Sequence, residues 1–232
     1  LVADPRVVEN PDVINVITYK ELRELAYMGA SVLHEDAIFP VRTAGIPINI
    51  KNTNKPEDAG TMIVSDDHDF EDESNAYTIT ANGGRKGFST NNIEKAMMNS
   101  EMGFGMKVLR VLADNNVSFE HMPSGIDTMS ITVDTNSLNP VREKVLSQLR
   151  KEVNPDHLEI EDGIALLAVV GRRMKNTRGT VARIFASMAH ARINVKMIDQ
   201  GSSELNVIIG VSENDLNEAI RRIYDMFISS EK

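Results

Sequence analysis

The sequence predicts an α+β protein: two copies of a βαββαβ unit behind the C-terminal tail of an α/β domain. Three observations carry this. First, GFGMKVLRVLADNNVSFEHMPSGIDTMSITV, from Gly103, returns at a constant offset as GTVARIFASMAHARINVKMIDQGSSELNVII, from Gly179. Gly103 meets Gly179, Val108 meets Ile184, Leu112 meets Met188, Val117 meets Ile193 and Ile131 meets Val207. Second, each copy passes from helical periodicity to two alternating stretches and back to helical periodicity. Third, residues 1–64 show too few elements for a complete α/β domain, so they read as the end of one.

Each element has a local reason. Residues 1–12 form a loop punctuated by Pro5 and Pro11. From Thr18, apolar Leu22, Leu25, Ala26, Met28 and Leu33 recur at helical spacing, with Thr18 as N-cap and Glu21 as its capping-box partner. A short helix over 36–44 ends at Gly45; 46–51 and 59–64 alternate as strands. The acidic run 65–75 reads as a solvated linker, since it lacks the glycine and spaced ligands of a calcium loop. TITANGG and FSTNNIEKA then alternate as two strands around a turn at 83–87. That glycine cluster is no phosphate cradle, because no helix N-terminus follows it.

The first copy continues with a helix over 104–115 and strands over 117–122 and 128–133. A helix follows from Pro140, a favoured first-turn residue, to Val153. Strands over 157–161 and 164–170 come next; the second copy adds helix 180–191, strands 194–198 and 205–211, and helix 215–228. Each copy is thus a ferredoxin-like unit, a four-stranded sheet with both helices on one face. The expected boundaries are 1–64 for the α/β tail, 65–76 for the linker, 77–162 for the first unit and 163–232 for the second. Such neighbours are able to exchange strands.

Composition narrows the function. A chain of 232 residues has room for two or three small cores. No apolar run approaches the roughly 18 residues of a membrane helix, and the N-terminus lacks a signal pattern. With no cysteine, disulfides and thiolate metal sites are excluded, which suits a cytoplasmic setting. A net charge of −9 argues against nucleic acid and anionic membranes as partners. Small polar or cationic partners fit better.

The repeated unit suggests where such a partner binds. MNSEMGFG precedes the first helix of copy one, and KNTRG that of copy two. A glycine loop entering a helix offers unpaired amides and partial positive charge, a fit for a carboxylate. Copy one adds the acids Glu101, Glu120 and Asp127, whereas copy two has Lys196 where copy one has Glu120. Donors plus acids suit an amino acid with a cationic side chain; two plain structural domains with solvated acids satisfy the same spacing. No catalytic set stands out, and His34, His68, His121, His157 and His190 lack metal-ligand spacing, so no metal site is expected. Most methionines read as core filling, with Met98 and Met102 as candidate pocket walls.

Taken in order, ADPRVVENP (3–11), YKELRELAYMGASVLHEDAI (19–38), IPINIKNTNKPEDAGTMI (46–63) and ITANGGRKGFSTNNIEKAMMNSEMGFGMKVL (79–109) resemble aspartokinase. The resemblance implies an enzyme that phosphorylates the aspartate side chain with ATP and Mg²⁺, opening lysine, threonine and methionine biosynthesis. It also implies feedback control at paired ACT domains, the family's ferredoxin-like regulatory unit. This chain would be the regulatory C-terminal part, inactive alone, holding no cofactor itself and forming a homodimer through its ACT domains. Of the nucleotide site, Asp4, Pro5 and Arg6 match. Ser31 stands where the family often has a lysine facing the nucleotide, and Glu35 replaces a proline.

Effector contacts of lysine-sensitive members map onto Met98, Glu101, Gly103, Phe104 and Gly105, then Ser118, Phe119 and Glu120. Glu101 departs from a serine of some members, and Pro123-Ser124-Gly125 from their Thr-Thr-Ser. Lysine is the expected effector, with threonine second. The alternative is a non-catalytic amino-acid-sensing ACT module of another enzyme or regulator. A complete small-molecule kinase is opposed by the lack of a phosphate-cradling loop and a catalytic lysine.

Overall fold

The computed structural model describes residues 1–27, 29, 35–68, 70 and 77–229. Its elements run β1 (Val16–Thr18), α1 (Tyr19–Tyr27), α2 (Glu35–Thr43), β2 (Ile48–Ile50), β3 (Thr61–Val64) and β4 (Ala81–Glu94). Then come α3 (Phe104–Asp114), β5 (Phe119–His121), β6 (Thr128–Asp134), α4 (Thr135–Leu138), α5 (Arg142–Val153) and β7 (His157–Val170). The chain ends with α6 (Thr180–His190), β8 (Met197–Asp199), β9 (Asn206–Ser212), α7 (Leu216–Tyr224) and a π-helical turn over Asp225–Ser229. Contacts divide it into two compact units, Leu1–Arg85 with Leu166–Lys232, and Lys86–Ala165. The N-terminal segment therefore shares a unit with the second copy.

In the first of these units, β1 pairs parallel with β3, and β2 pairs antiparallel with the other edge of β3. Helix α1 starts as its sequence signature requires. Thr18 Oγ1 accepts from the Glu21 amide at 3.2 Å, and Glu21 Oε2 accepts from the Thr18 amide at 3.0 Å, a reciprocal capping box. Met28, Ser31 and Leu33, expected further along that helix, lie outside the described residues. A second sheet orders its strands β4-β7-β9-β8, with the Thr80 amide donating to Val170 O and the Gly171 amide to Leu205 O. Ile184, Met188, Ile220, Ile223 and Phe227 of α6, α7 and the π-turn are buried there. The N-terminal loop is tied to the same unit: Tyr77 Oη donates to Asp12 at 2.6 Å, the Asp12 amide to Tyr224 Oη at 3.1 Å, and the Asn82 amide to Val2 O at 2.9 Å.

The second unit orders its strands β5-β6-β4-β7. β4 and β6 pair antiparallel from Phe88 opposite Asp134 to Glu94 opposite Thr128, and the Asp156 amide donates to Glu94 O. Ile93, Ile131 and Val133 of the sheet pack with Val108 and Leu112 of α3 and Val145 and Leu149 of α5 in one core. The expected α+β class of sheets carrying helix pairs is met.

Three expectations are corrected. The turn expected at 83–87 does not form, because β4 runs unbroken through it. Gly84 serves close approach instead: a Cβ there would lie 2.5 Å from Leu216 Cδ1 and 2.8 Å from Leu166 O. The expected break before residue 164 is likewise absent, since β7 continues through Gly163 at φ 73°. Finally, α7 gives way at Asp225 to the π-turn, which buries Phe227 and Ile228.

Gly171 is walled by backbone, with Ile79 Cα and Thr78 O each 2.9 Å from the position of an added Cβ. Gly171→Ala is expected to lower unfolding free energy by about 1–3 kcal/mol in urea titration. Gly83→Ala, whose new methyl would meet open space, should change it by no more than about 0.5 kcal/mol.

Candidate functional site

The loop 95–103 is built from its own unit. The Lys95 amide donates to Asp127 O at 2.8 Å and the Asn99 amide to Ile126 O at 3.1 Å. The Met97 amide donates to Asp127 Oδ1 at 2.8 Å, and the Ala96 amide to Asp156 Oδ2 at 2.7 Å. Met98 and Phe104 are buried in the core, so their side chains anchor the loop. Gly103 caps α3 in the left-handed region, at φ 80°, where glycine is strain-free. No side chain caps this helix, so its N-terminal amides, Gly105 included, keep the partial positive charge that favours a carboxylate.

The acids behave differently from one another. Glu101 bonds Lys107 and Lys95, each at 2.6 Å. The hydrogen bond from Lys107, then that from Lys95, holds its carboxyl below the usual range. Its charge is balanced within the chain. Asp127 spends an oxygen on the Met97 amide. Glu101 and Asp127 are thus engaged within the chain; Glu120 is distinguished by its burial.

Glu120 stands at a β-bulge. Phe119 lies opposite Val133 and His121 opposite Thr132, leaving Glu120 as the extra residue of β5. The bulge explains why Val117 and Met122 both reach the core although they stand an odd number of positions apart. Burial pushes the Glu120 carboxyl above the ordinary carboxylate range; His121 opposes this and Asp134 adds to it. Phe119 on β5, the edge strand, and Ser118 just before it are exposed.

The two halves of the predicted site are not side by side. The loop is tied to Asp127, and Gly105 faces Met129, with 3.7 Å from an added Cβ to the Met129 Cε. Glu120 sits at Thr132–Val133. Three to four residues of strand separate them, about 10–13 Å. An extended ligand with charge at both ends spans that; a compact one does not.

Elsewhere, Arg6 closes on Asp4 with an ion pair of 2.6 Å, next to Pro5, and lowers the Asp4 carboxyl chiefly through its side-chain hydrogen bond. Ser31 and linker residues 71–76 lie outside the described residues. A cavity of about 420 Å³ lined by Tyr19, Lys20, Arg42 and Ser65–Asp67 is occupied by the chain's own charges, for Asp66 meets both Lys20 and Arg42. Among the described residues, no group of three or more His, Asp or Glu could hold a metal ion, and no helix is long and apolar enough to cross a membrane.

Comparison with known proteins agrees with this architecture. Residues 1–52 match the amino acid kinase family and residues 167–227 an ACT domain. Aspartokinase 3 of Bacillus subtilis is 37% identical over 227 residues, which are 97% of this chain and 49% of that protein. The aspartate kinase structure of Clostridium acetobutylicum superposes with a TM-score of 0.92 at 50% identity, covering 98% of this chain and 52% of that one. E. coli aspartokinase III, solved with lysine and aspartate, shares the fold with a TM-score of 0.74 at 23% identity, covering 98% of this chain and 49% of that one. The chain is thus similar along nearly its whole length to aspartokinases, with an amino acid kinase match and an ACT-domain match, and spans about half the length of these relatives.

The two acids should titrate with opposite signs. Glu101, with its lowered pKa, stabilises the fold when ionised, so Glu101→Gln should be less stable than the parent at pH 7. That gap should close as pH falls through the lowered pKa. Glu120, with its raised pKa, loses stability as pH rises through the folded value, so Glu120→Gln should be more stable than the parent at pH 7. That second gap should vanish below the ordinary glutamate value of 4.5. Urea unfolding across pH reads both.

Proposed function

We propose that this chain is the regulatory half of an aspartokinase, cytoplasmic and homodimeric, whose first ACT repeat binds lysine as a feedback effector. The observation that carries this is the pair of poles along β6. The uncapped N-terminus of α3, around Gly103–Gly105, takes the ligand's α-carboxylate. Glu120, held where burial disfavours its charge, gains from a ligand ammonium. An extended lysine has charges at both ends and fits their separation; threonine has no second cation for Glu120. The E. coli relative solved with lysine supports the ligand class.

The reaction of the whole enzyme would transfer a phosphoryl group from ATP, with Mg²⁺, to the aspartate side chain; an E. coli relative was solved with aspartate and ADP. Asp4 is committed to Arg6, and among the described residues no acidic cluster fits Mg²⁺. The match of Asp4-Pro5-Arg6 to the family's nucleotide-site segment supports these three as this chain's contribution to that site, with control as its main work.

Dimerisation follows from the edge strand. β5 presents backbone groups and Phe119 to its surroundings, and Met97, Met102, Met106 and Ile126 of the same unit are exposed. Covering them with a second copy would bury on the order of 1,000 Å² or more. Sedimentation should show a dimer at micromolar concentration with lysine present; a monomer under those conditions contradicts this part.

Calorimetric titration tests the effector. Lysine should bind the parent, and Glu120→Gln should weaken it at least about tenfold, since a charged hydrogen bond contributes roughly 1.5–3 kcal/mol and about 1.4 kcal/mol is one decade. Lys196→Gln, at the matching position of the second repeat, should change little. Equal lysine affinity in Glu120→Gln and parent would remove Glu120 from the site, and threonine would become the better candidate.

A further inference from the structure

The loop that opens the second repeat, 171–179, matches 95–103 of the first, and in both the second residue offers its amide to a carboxylate. In the first repeat the Ala96 amide donates to Asp156, from the same repeat. In the second, the Arg172 amide donates to Glu21 Oε1 at 2.9 Å, and Arg172 Nη1 reaches Glu21 Oε2 at 3.4 Å. Glu21 belongs to α1 of the kinase-family segment, 151 positions earlier in the chain.

The Glu21 side chain is fully buried, with 0% exposure. It also accepts from the Thr18 amide and hydroxyl and from Thr80 Oγ1. A capping box explains only the Thr18 contacts. The others come from the entry to β4 and from the second repeat. Arg172 in turn lies over the Phe70 ring, 3.8 Å from guanidinium carbon to centroid. A buried carboxylate with this many donors is fixed in place, because losing an arm strands a charge away from water.

We infer that Glu21 is a positioning residue that couples the second ACT repeat to α1: the kinase-family segment supplies the carboxylate that closes this repeat's loop. The first repeat closes its loop from within, through Asp156, and both repeats enter their helix at a glycine without a side-chain cap, Gly103 and Gly179. The second repeat is closed by the segment it serves, so its loop reads the position of α1 instead of a free molecule. This rests on the family reading only in naming residues 1–64 a kinase segment. Coupling of this kind is reciprocal: whatever loosens the loop must loosen α1, and the converse.

Hydrogen exchange on the whole 232-residue chain tests it. Glu21→Gln should raise amide exchange across 171–179 at least about tenfold, as expected when charge-assisted bonds are lost. Arg172→Met, which leaves the capping box intact, should raise exchange at the start of α1 by a similar factor. Both should leave exchange across 95–103, and lysine titration, at parent values. If Arg172→Met leaves α1 protected as in the parent, the coupling is refuted and Glu21 is a helix cap alone. Should Glu21→Gln fail to fold, the Arg172→Met result decides. Absence of lysine binding to the parent would sink the proposed function without touching this result.

Discussion

The burial of one carboxylate sets the arrangement of the larger unit. Glu21 has no access to water, so its charge must be met by protein donors, and these come from three stretches of chain: the start of α1, the approach to β4, and the loop before α6. Hydrophobic burial is non-directional and tolerates repacking; a buried charge with directed hydrogen bonds does not. The segment 1–64 and the second ACT repeat lie in one compact unit even though the whole first repeat separates them in sequence, and Glu21 is one of the links between them.

The smaller unit manages its charges in the opposite way. Glu101 is satisfied by two lysines at its surface, and Asp127 and Asp156 are used to shape the loop. The same unit also holds a helix entered at a glycine with no side-chain cap, and a carboxyl raised by burial at a bulge in the pairing. Neither feature helps the unit fold. Both are costs that a ligand with a carboxylate and an ammonium would offset.

Much of this was legible in the residues. The repeat at constant offset gave the two ferredoxin-like copies, and the Thr18–Glu21 spacing gave the start of α1. The loop and strand residues of the candidate site were named from glycine placement and family resemblance. The glycines of 83–87 misled, because a glycine that admits a neighbouring backbone looks the same in sequence as one that makes a turn. Lys95 and Lys107 escaped notice as partners of Glu101, since a loop–helix ion pair has no fixed spacing to search for. The β5 bulge left a trace in the odd spacing of Val117 and Met122, but alternation over so short a stretch could not place it. The second role of Glu21 had no local signal at all, for Arg172 is distant in sequence.

In the proposed complex, Glu120 meets the ammonium of a bound lysine. The most direct measurement is the titration of its carboxyl carbon by NMR, without and with saturating lysine. Without ligand the pKa should stand above the ordinary glutamate value, as burial dictates. With lysine it should fall, because a nearby cation favours the charged form, and lysine affinity should rise with pH through the same range. A Glu120 pKa that stays raised while lysine is bound would contradict the account.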